Sequence, residues 1–315
     1  MYKINYFLRK RRKGANFSVE QIFNDLAKRF NSKYYVNLKV LPFVSSGLFK
    51  RLINMLYSLT NQGDINHVTG DINYIAIFLR KYKTISTILD LAILHRTNGI
   101  KRKILLTIWF KWPVYRSKWV TVISESTKQD LLKNVNCNPD KIKVIYVPVS
   151  KSFNRVDKIF NNKCPTIMQI GGAENKNLKG LITAVKDIKC KLLIIGKISE
   201  ENQQSLKKYN ISYVNKVNIA LEEVINAYVI SDMLFFASTF EGFGMPILEA
   251  QAVGRPVITS NILSMPEVGG DAAFYVDPYD FNQIKIAIQS IIENPPLRQG
   301  LIKKGFKIYY DLIVI

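Results

Sequence analysis

The chain has 315 residues, 48% hydrophobic and 22% charged, which excludes disorder, collagen-like repeats and a disulfide scaffold and suggests two domains, each with its own core. Three cysteines without a CxxC (Cys137, Cys164, Cys190) fit a reducing compartment, and two histidines (His67, His95) leave little for a His-built metal site. Lys and Arg outnumber Asp and Glu by 45 to 24, and residues 1–150 carry 26 of the bases but 8 of the acids, net +18 against +3 for the rest, so the first half is expected to face an anionic partner such as nucleic acid, acidic lipid or a phosphorylated substrate.

In chain order, Lys3–Leu8 reads as a buried strand and Arg9–Gly14 as a basic loop. The apolar part of Met1–Lys10 is too short for a signal peptide, and no run of about 18 apolar residues occurs, so a cytoplasmic protein is expected. A helix begins near Ser18, an N-cap, with Val19, Ile22, Phe23 and Leu26 on one face, and a strand follows at Tyr35–Leu41. Leu48–Leu59 places Leu48, Leu52, Met55, Leu56 and Leu59 on one helical stripe flanked by Lys50, Arg51 and Asn54. Strands at Thr84–Leu89 and Trp119–Ile123 flank a basic, aromatic helix, Ile100–Tyr115, and the apolar stretch Val144–Val149 closes this half. Residues 151–163 are polar and read as a linker between domains 1–150 and 164–315.

The second half alternates. Strands at Thr166–Ile170, Lys191–Ile195, Met233–Ala237 and Pro256–Thr259 are interleaved with helices at Leu178–Ile188, Leu221–Ile230 and Pro246–Val253. This is the pattern of a parallel sheet wrapped by helices, and the fold class expected is α/β, with two doubly wound domains across a cleft.

The segment from Met233 to Thr259 carries the chemistry. A buried strand ends at Ala237, Glu241-Gly-Phe-Gly244 forms a loop, Pro246 suits the first helical turn and Gly254 the position past the helix end. Ligands of open α/β sheets bind beyond the carboxyl ends of the strands, where this loop lies. Gly242 and Gly244 permit close approach of the backbone, and a helix N-terminus favours anions, a combination suited to a diphosphate without a metal. Glu249 lies eight positions after Glu241, and its side chain leans back toward the helix start, so both carboxylates are expected at one polyhydroxylated ligand.

This segment resembles the donor-binding signature of the retaining, GT-B-fold glycosyltransferases of family 4, EGFG-x-P-x-x-EA. Ile167–Ala184, with Gly171, Gly172 and Lys176, is similar to the family's first strand, diphosphate loop and helix; Pro266–Pro278 to its late strand and loop; Val122–Leu131 to the close of its acceptor domain. The resemblance implies that Glu241 contacts the transferred sugar on the reacting side. Gly242, Phe243 and Gly244 would offer backbone N–H groups, and Glu249 would hold the ribose hydroxyls. Lys176 would neutralise the departing diphosphate, a role physics also favours because that group gains charge in the transition state. The donor implied is UDP- or GDP-linked, the acceptor a glycan or lipid-diphosphate-linked sugar, and the setting surface polysaccharide assembly. With no Asp-x-Asp in the chain, no metal is expected.

Three departures accompany the resemblance. The family's second cation, an Arg after the strand glycine, is replaced by Gly172, leaving Lys179 or Lys197 to substitute. Leu89 stands where many members have an acceptor-side His; Asp90 and Gly14 are the acceptor-side candidates, and His67 reads as structural. The family's long C-terminal helix, which crosses back to the first domain, is expected to be short here, because the chain ends in the apolar stretch Leu301–Ile315. Trp109, Trp112 and Trp119 interleave with Lys111, Arg116 and Lys118, a mixture suited to an anionic membrane surface, so peripheral attachment at the inner face is expected. Alternatives are a nucleic-acid-binding protein, argued by charge alone and without any RNP, KH or zinc-finger signature, and an epimerase or silent relative on the same scaffold.

Overall fold

The computed structural model describes residues 2–10, 18–30 and 34–313. The chain forms two compact units, Met1–Val147 and Pro148–Ile315. Each is a six-stranded, all-parallel sheet with helices on its faces.

In the first unit the strands are β1 (Lys3–Leu8), β2 (Tyr35–Val40), β3 (Ile65–Thr69), β4 (Thr84–Ile88), β5 (Trp119–Val122) and β6 (Ile142–Val144), in the order β2-β1-β3-β4-β5-β6. β3 was not expected from sequence. Its polar centre, Asn66 and His67, hides the strand, but each has a hydrogen-bond partner, although the buried Asn66 Nδ2 has none among the described residues. Asn66 accepts from the Gly63 N–H at 2.8 Å, and His67 Nε2 pairs with Thr87 Oγ1 at 2.7 Å, which in turn reaches Thr121 Oγ1 at 2.7 Å. His67 also packs edge-on against Tyr6 and Phe23, and burial lowers its pKa to about 4.

Two helices depart from the usual burial rule. In Leu48–Thr60 the buried residues are Asn54 and Ser58, while Leu48, Phe49, Leu52, Leu56 and Leu59 are exposed. Asn54 spends its amide on both backbone groups of Phe43 and on the Tyr74 hydroxyl, which is why a polar residue faces inward. The expected basic, aromatic helix is one continuous run, Gly99 to Arg116, with a π-helical turn at Leu106–Lys111. That turn ends just before Pro113, whose ring and missing N–H do not fit a regular α-helical ladder.

In the second unit the strands are β7 (Thr166–Ile170), β8 (Lys191–Ile195), β9 (Ser212–Lys216), β10 (Met233–Phe236), β11 (Val257–Ser260) and β12 (Phe274–Val276). Their order is β12-β11-β10-β7-β8-β9, so the chain winds outward in both directions from the β7–β10 pair. The core joins β7, β8 and β10 to the helices Leu178–Val185 and Phe281–Glu293 through Ile167, Leu181, Leu192, Phe235, Ile284 and Ile288, all fully buried. β9 and the helix Glu200–Lys208, mostly polar, went unrecognised in the sequence. Residues 151–163, expected as a linker, pack on this unit. Phe153 packs edge-on against Tyr228, the Arg155 guanidinium lies over Phe306, and Lys158 pairs with the buried Asp232.

Candidate active site

β7 and β10 lie side by side in parallel, yet their connections depart in opposite directions. Their following loops therefore part and leave a crevice beyond the carboxyl ends of the strands. The loop after β7 supplies Gly171, Gly172 and Lys176, and the loop after β10 supplies Glu241 to Gly244.

Hydrogen bonds lace the two loops together. Asn175 donates its amide to the Phe240 carbonyl at 2.8 Å and accepts from the Thr239 N–H at 2.8 Å. Asn177, in the left-handed region at φ 58°, caps the helix Leu178–Val185 by accepting from the Gly180 N–H, and its amide donates to the carbonyls of Ala237 and Pro278. Gln169 donates to the Lys176 carbonyl at 2.9 Å, and Ser264 to the Glu241 carbonyl at 3.2 Å. None of these four was singled out from sequence. Only Asn177 carried a signal, as an Asn just before a helix.

On this frame Lys176 Nζ sits 2.6 Å from Glu241 Oε1 and 4.8 Å from the centre of the Phe236 ring. The two side chains stay 22% and 15% exposed, within reach of a ligand. Gly171 is at φ +96°, and a Cβ there would fall 2.8 Å from Lys176 Cγ, so the glycine makes room for the lysine stem. Gly172 is tighter still: a Cβ would lie 1.9 Å from the Lys197 carbonyl oxygen. No side chain, and so no arginine, fits at 172 on this backbone. Of the two candidate replacements, Lys179 is paired with Glu201 at 2.7 Å, whereas exposed Lys197 has no side-chain partner among the described residues.

Glu249 lies in the second turn of the helix Met245–Val253, whose start is set by Gly244 at φ +114° and Pro246. Its Oε2 accepts a 2.6 Å hydrogen bond from Tyr228, a fully buried tyrosine on the helix Leu221–Ile230. Burial pushes the Glu249 carboxyl up to about 7, against the opposing pull of the Tyr228 hydroxyl and the Lys176 charge. The lysine thus acts on both glutamates. Phe243 buries its ring, Gly242 lies between Glu241 and that ring, and Tyr228 had no sequence signal of its own.

The acceptor-side candidates lie apart from this set in the chain. Asp90 is in the first unit, two residues beyond β4, and accepts from the Ala92 N–H at 2.8 Å. Gly14 lies outside the described residues. Among the described residues no group of three or more His, Cys, Asp or Glu is placed to hold a metal ion, and no helix is long and apolar enough to cross a membrane.

Two parallel α/β units with a site at a switch point define a GT-B fold, and solved structures share it across nearly the whole chain. The Anabaena protein HepE in complex with UDP and glucose aligns over 99% of this chain and 96% of its own at a TM-score of 0.81, with 14% identity. Sucrose-phosphate synthase from Thermosynechococcus elongatus aligns equally well, at 0.81 over 99% and 95% with 16% identity. In sequence, residues 150–308 match the family model for glycosyl transferases group 1, and the chain belongs to that family. The O-antigen chain mannosyltransferase RfbU of Salmonella typhimurium is 28% identical over 218 residues, 66% of this chain and 61% of RfbU. CapM of Staphylococcus aureus, a capsular polysaccharide biosynthesis glycosyltransferase, is 26% identical over 60% of this chain and 56% of its own. The chain thus matches about three fifths of the length of these relatives.

Proposed function

We propose that this protein is a retaining glycosyltransferase that moves a sugar from a nucleotide diphosphate to a glycan or lipid-linked acceptor in cell-surface polysaccharide assembly, at the inner face of the membrane. The observation that carries the reading is the convergence of Glu241, Lys176 and Glu249 at the β7–β10 crevice. Family membership and the names of RfbU and CapM support it, and the mannosyltransferases among the relatives put mannose first among the sugars to test.

Glu241 holds the Lys176 ammonium until donor arrives. The diphosphate, with more charge, takes that ammonium over, and Glu241 turns to the hydroxyls of the sugar. Gly171 and Gly172 make the tight turn that seats the Lys176 stem beside the phosphates; Gly242, Phe243 and Gly244 bring the helix start to them. Glu249, oriented by Tyr228, accepts from the ribose hydroxyls. In the reaction the anomeric carbon–oxygen bond breaks, and the nucleoside diphosphate leaves with the electron pair, its growing charge stabilised by Lys176. The acceptor hydroxyl bonds to the same carbon and passes its proton to the departing diphosphate. Because a lysine and a helix start neutralise the diphosphate, the reaction needs no metal ion.

The test is an assay of UDP- and GDP-sugars with an oligosaccharide acceptor in EDTA. Free nucleoside diphosphate should appear with an equal amount of glycosylated product. Full dependence on added Mg²⁺ or Mn²⁺, or no release with any donor, would overturn the assignment.

A further inference from the structure

The helix Leu48–Thr60 is turned inside out. Leu48, Leu52, Leu56 and Leu59 recur at helical spacing on one face, with Leu48 83% exposed and Phe49 beside it 75% exposed. The inward face is anchored by Asn54, bonded to Phe43 and Tyr74, so the orientation is held by satisfied hydrogen bonds. Among the described residues nothing covers the apolar face, and a leucine stripe left in water has no folding benefit.

The surroundings say what covers it. The Arg51 guanidinium stacks 4.6 Å over the Trp109 ring, joining this helix to the run Gly99–Arg116 with its exposed Lys101 and Lys103. Residues 26–63 contain six Lys or Arg and no Asp or Glu; residues 91–124 contain seven and none. A second copy of the chain would bring like charge against like, whereas an anionic lipid leaflet supplies both an apolar layer for the leucines and phosphates for the bases. We infer that the helix Leu48–Thr60 lies in the plane of an anionic leaflet, its Leu48–Leu59 stripe in the acyl boundary and the Gly99–Arg116 bases among the headgroups. The inference rests on the membrane part of the function proposed above and names the element that makes the attachment.

The experiment compares the full chain with Leu52→Glu/Leu56→Glu and with Lys101→Glu in co-sedimentation with vesicles of phosphatidylcholine alone and with 30% phosphatidylglycerol. Wild type should partition at least ten-fold better onto the anionic vesicles, the double variant should lose at least ten-fold, and Lys101→Glu should lose less, with a steeper response to salt in wild type. Both exposed-site variants should keep wild-type melting temperature and wild-type release of nucleoside diphosphate with a soluble acceptor. Equal partition onto both vesicles, retained binding by the double variant, or a wild-type dimer in solution that the double variant dissociates would overturn the inference. Vesicle binding without sugar transfer would sink only the transfer reaction and leave the membrane element standing.

Discussion

The two units repeat one architecture and use its switch point in opposite ways. In the first sheet the order reverses between β1 and β3, and the residue after β1 is Arg9, clamped by the buried Glu20 at 2.7 Å and by Asp71, just beyond β3. In the second the order reverses between β7 and β10, and the residues after β7 are two glycines, followed by a lysine that meets one carboxylate and remains open to solvent. In one the cation is held by two carboxylates of its own chain; in the other it is held by one. Sheet order therefore places a crevice in both units, and the side chains at its lip decide which one is ready for a ligand.

The largest effects should separate these roles. Glu241→Ala and Lys176→Ala are each expected to lower kcat by about 10²–10³, the loss typical of removing one preorganised charge from a transition state, and to leave the melting temperature near wild type because both side chains are partly exposed. Glu249→Ala should mainly raise KM for the donor. Glu20→Ala in the first crevice should do the reverse. It removes the buried partner of Arg9 while Asp71 stays, costing about 1–2 kcal/mol of stability with donor affinity unchanged. Loss of donor binding in Glu20→Ala would erase the distinction.

The turn after β7 offers a second test. Gly172→Ala drives a Cβ into the Lys197 carbonyl, a backbone atom that cannot swing away, and should cost about 3 kcal/mol or more. Gly300, within the helix Pro295–Ile313, has open space where its Cβ would lie, so Gly300→Ala should stabilise by about 0.5–1 kcal/mol. Thermal melts of the two variants check the contrast; a soluble, fully stable Gly172→Ala protein would show that the turn can take a side chain after all.

What was legible in the sequence follows the same division. The second unit buries apolar strands and caps its site helix with Pro246 and Gly254, so periodicity and turn residues exposed β7, β8, β10, β11 and the crevice loops. The first unit buries Asn66 at the centre of β3 beside His67, and this polar pair disguised the strand as a loop. The leucine stripe at 48–59 was visible, but not the fact that Asn54 turns it outward, since that depends on Phe43 and Tyr74. In the site, the charged residues could be named from their motif. The amides and hydroxyls that aim them, Asn175, Asn177, Ser264 and Tyr228, find their partners only through tertiary contacts with residues far away in the chain.

The two units should also respond to pH with opposite sign. Glu249 titrates at about 7 when folded, above its ordinary 4.5, so between those values the folded chain keeps a proton that the unfolded chain has lost. Its contribution to stability therefore declines as pH rises from about 4.5 through 7. His67 titrates at about 4, below its ordinary 6.5, so the unfolded chain takes up a proton that the folded one refuses, and its contribution declines as pH falls from 6.5 toward 4. Each effect is bounded near about 3 kcal/mol by its shift and is smaller here because both side chains keep some contact with water. Glu249→Gln, which mimics the neutral acid, should gain in melting temperature over wild type as pH goes from 5 to 8, and His67→Gln should gain as pH goes from 7 to 5. Tyr228→Phe, which removes the hydrogen bond favouring the carboxylate, should move the rise in donor affinity from about pH 7 to a higher pH without affecting the His67 response. Parallel slopes in the two neutral variants would mean that the buried carboxyl and the buried imidazole do not carry the opposite burdens that their surroundings assign them.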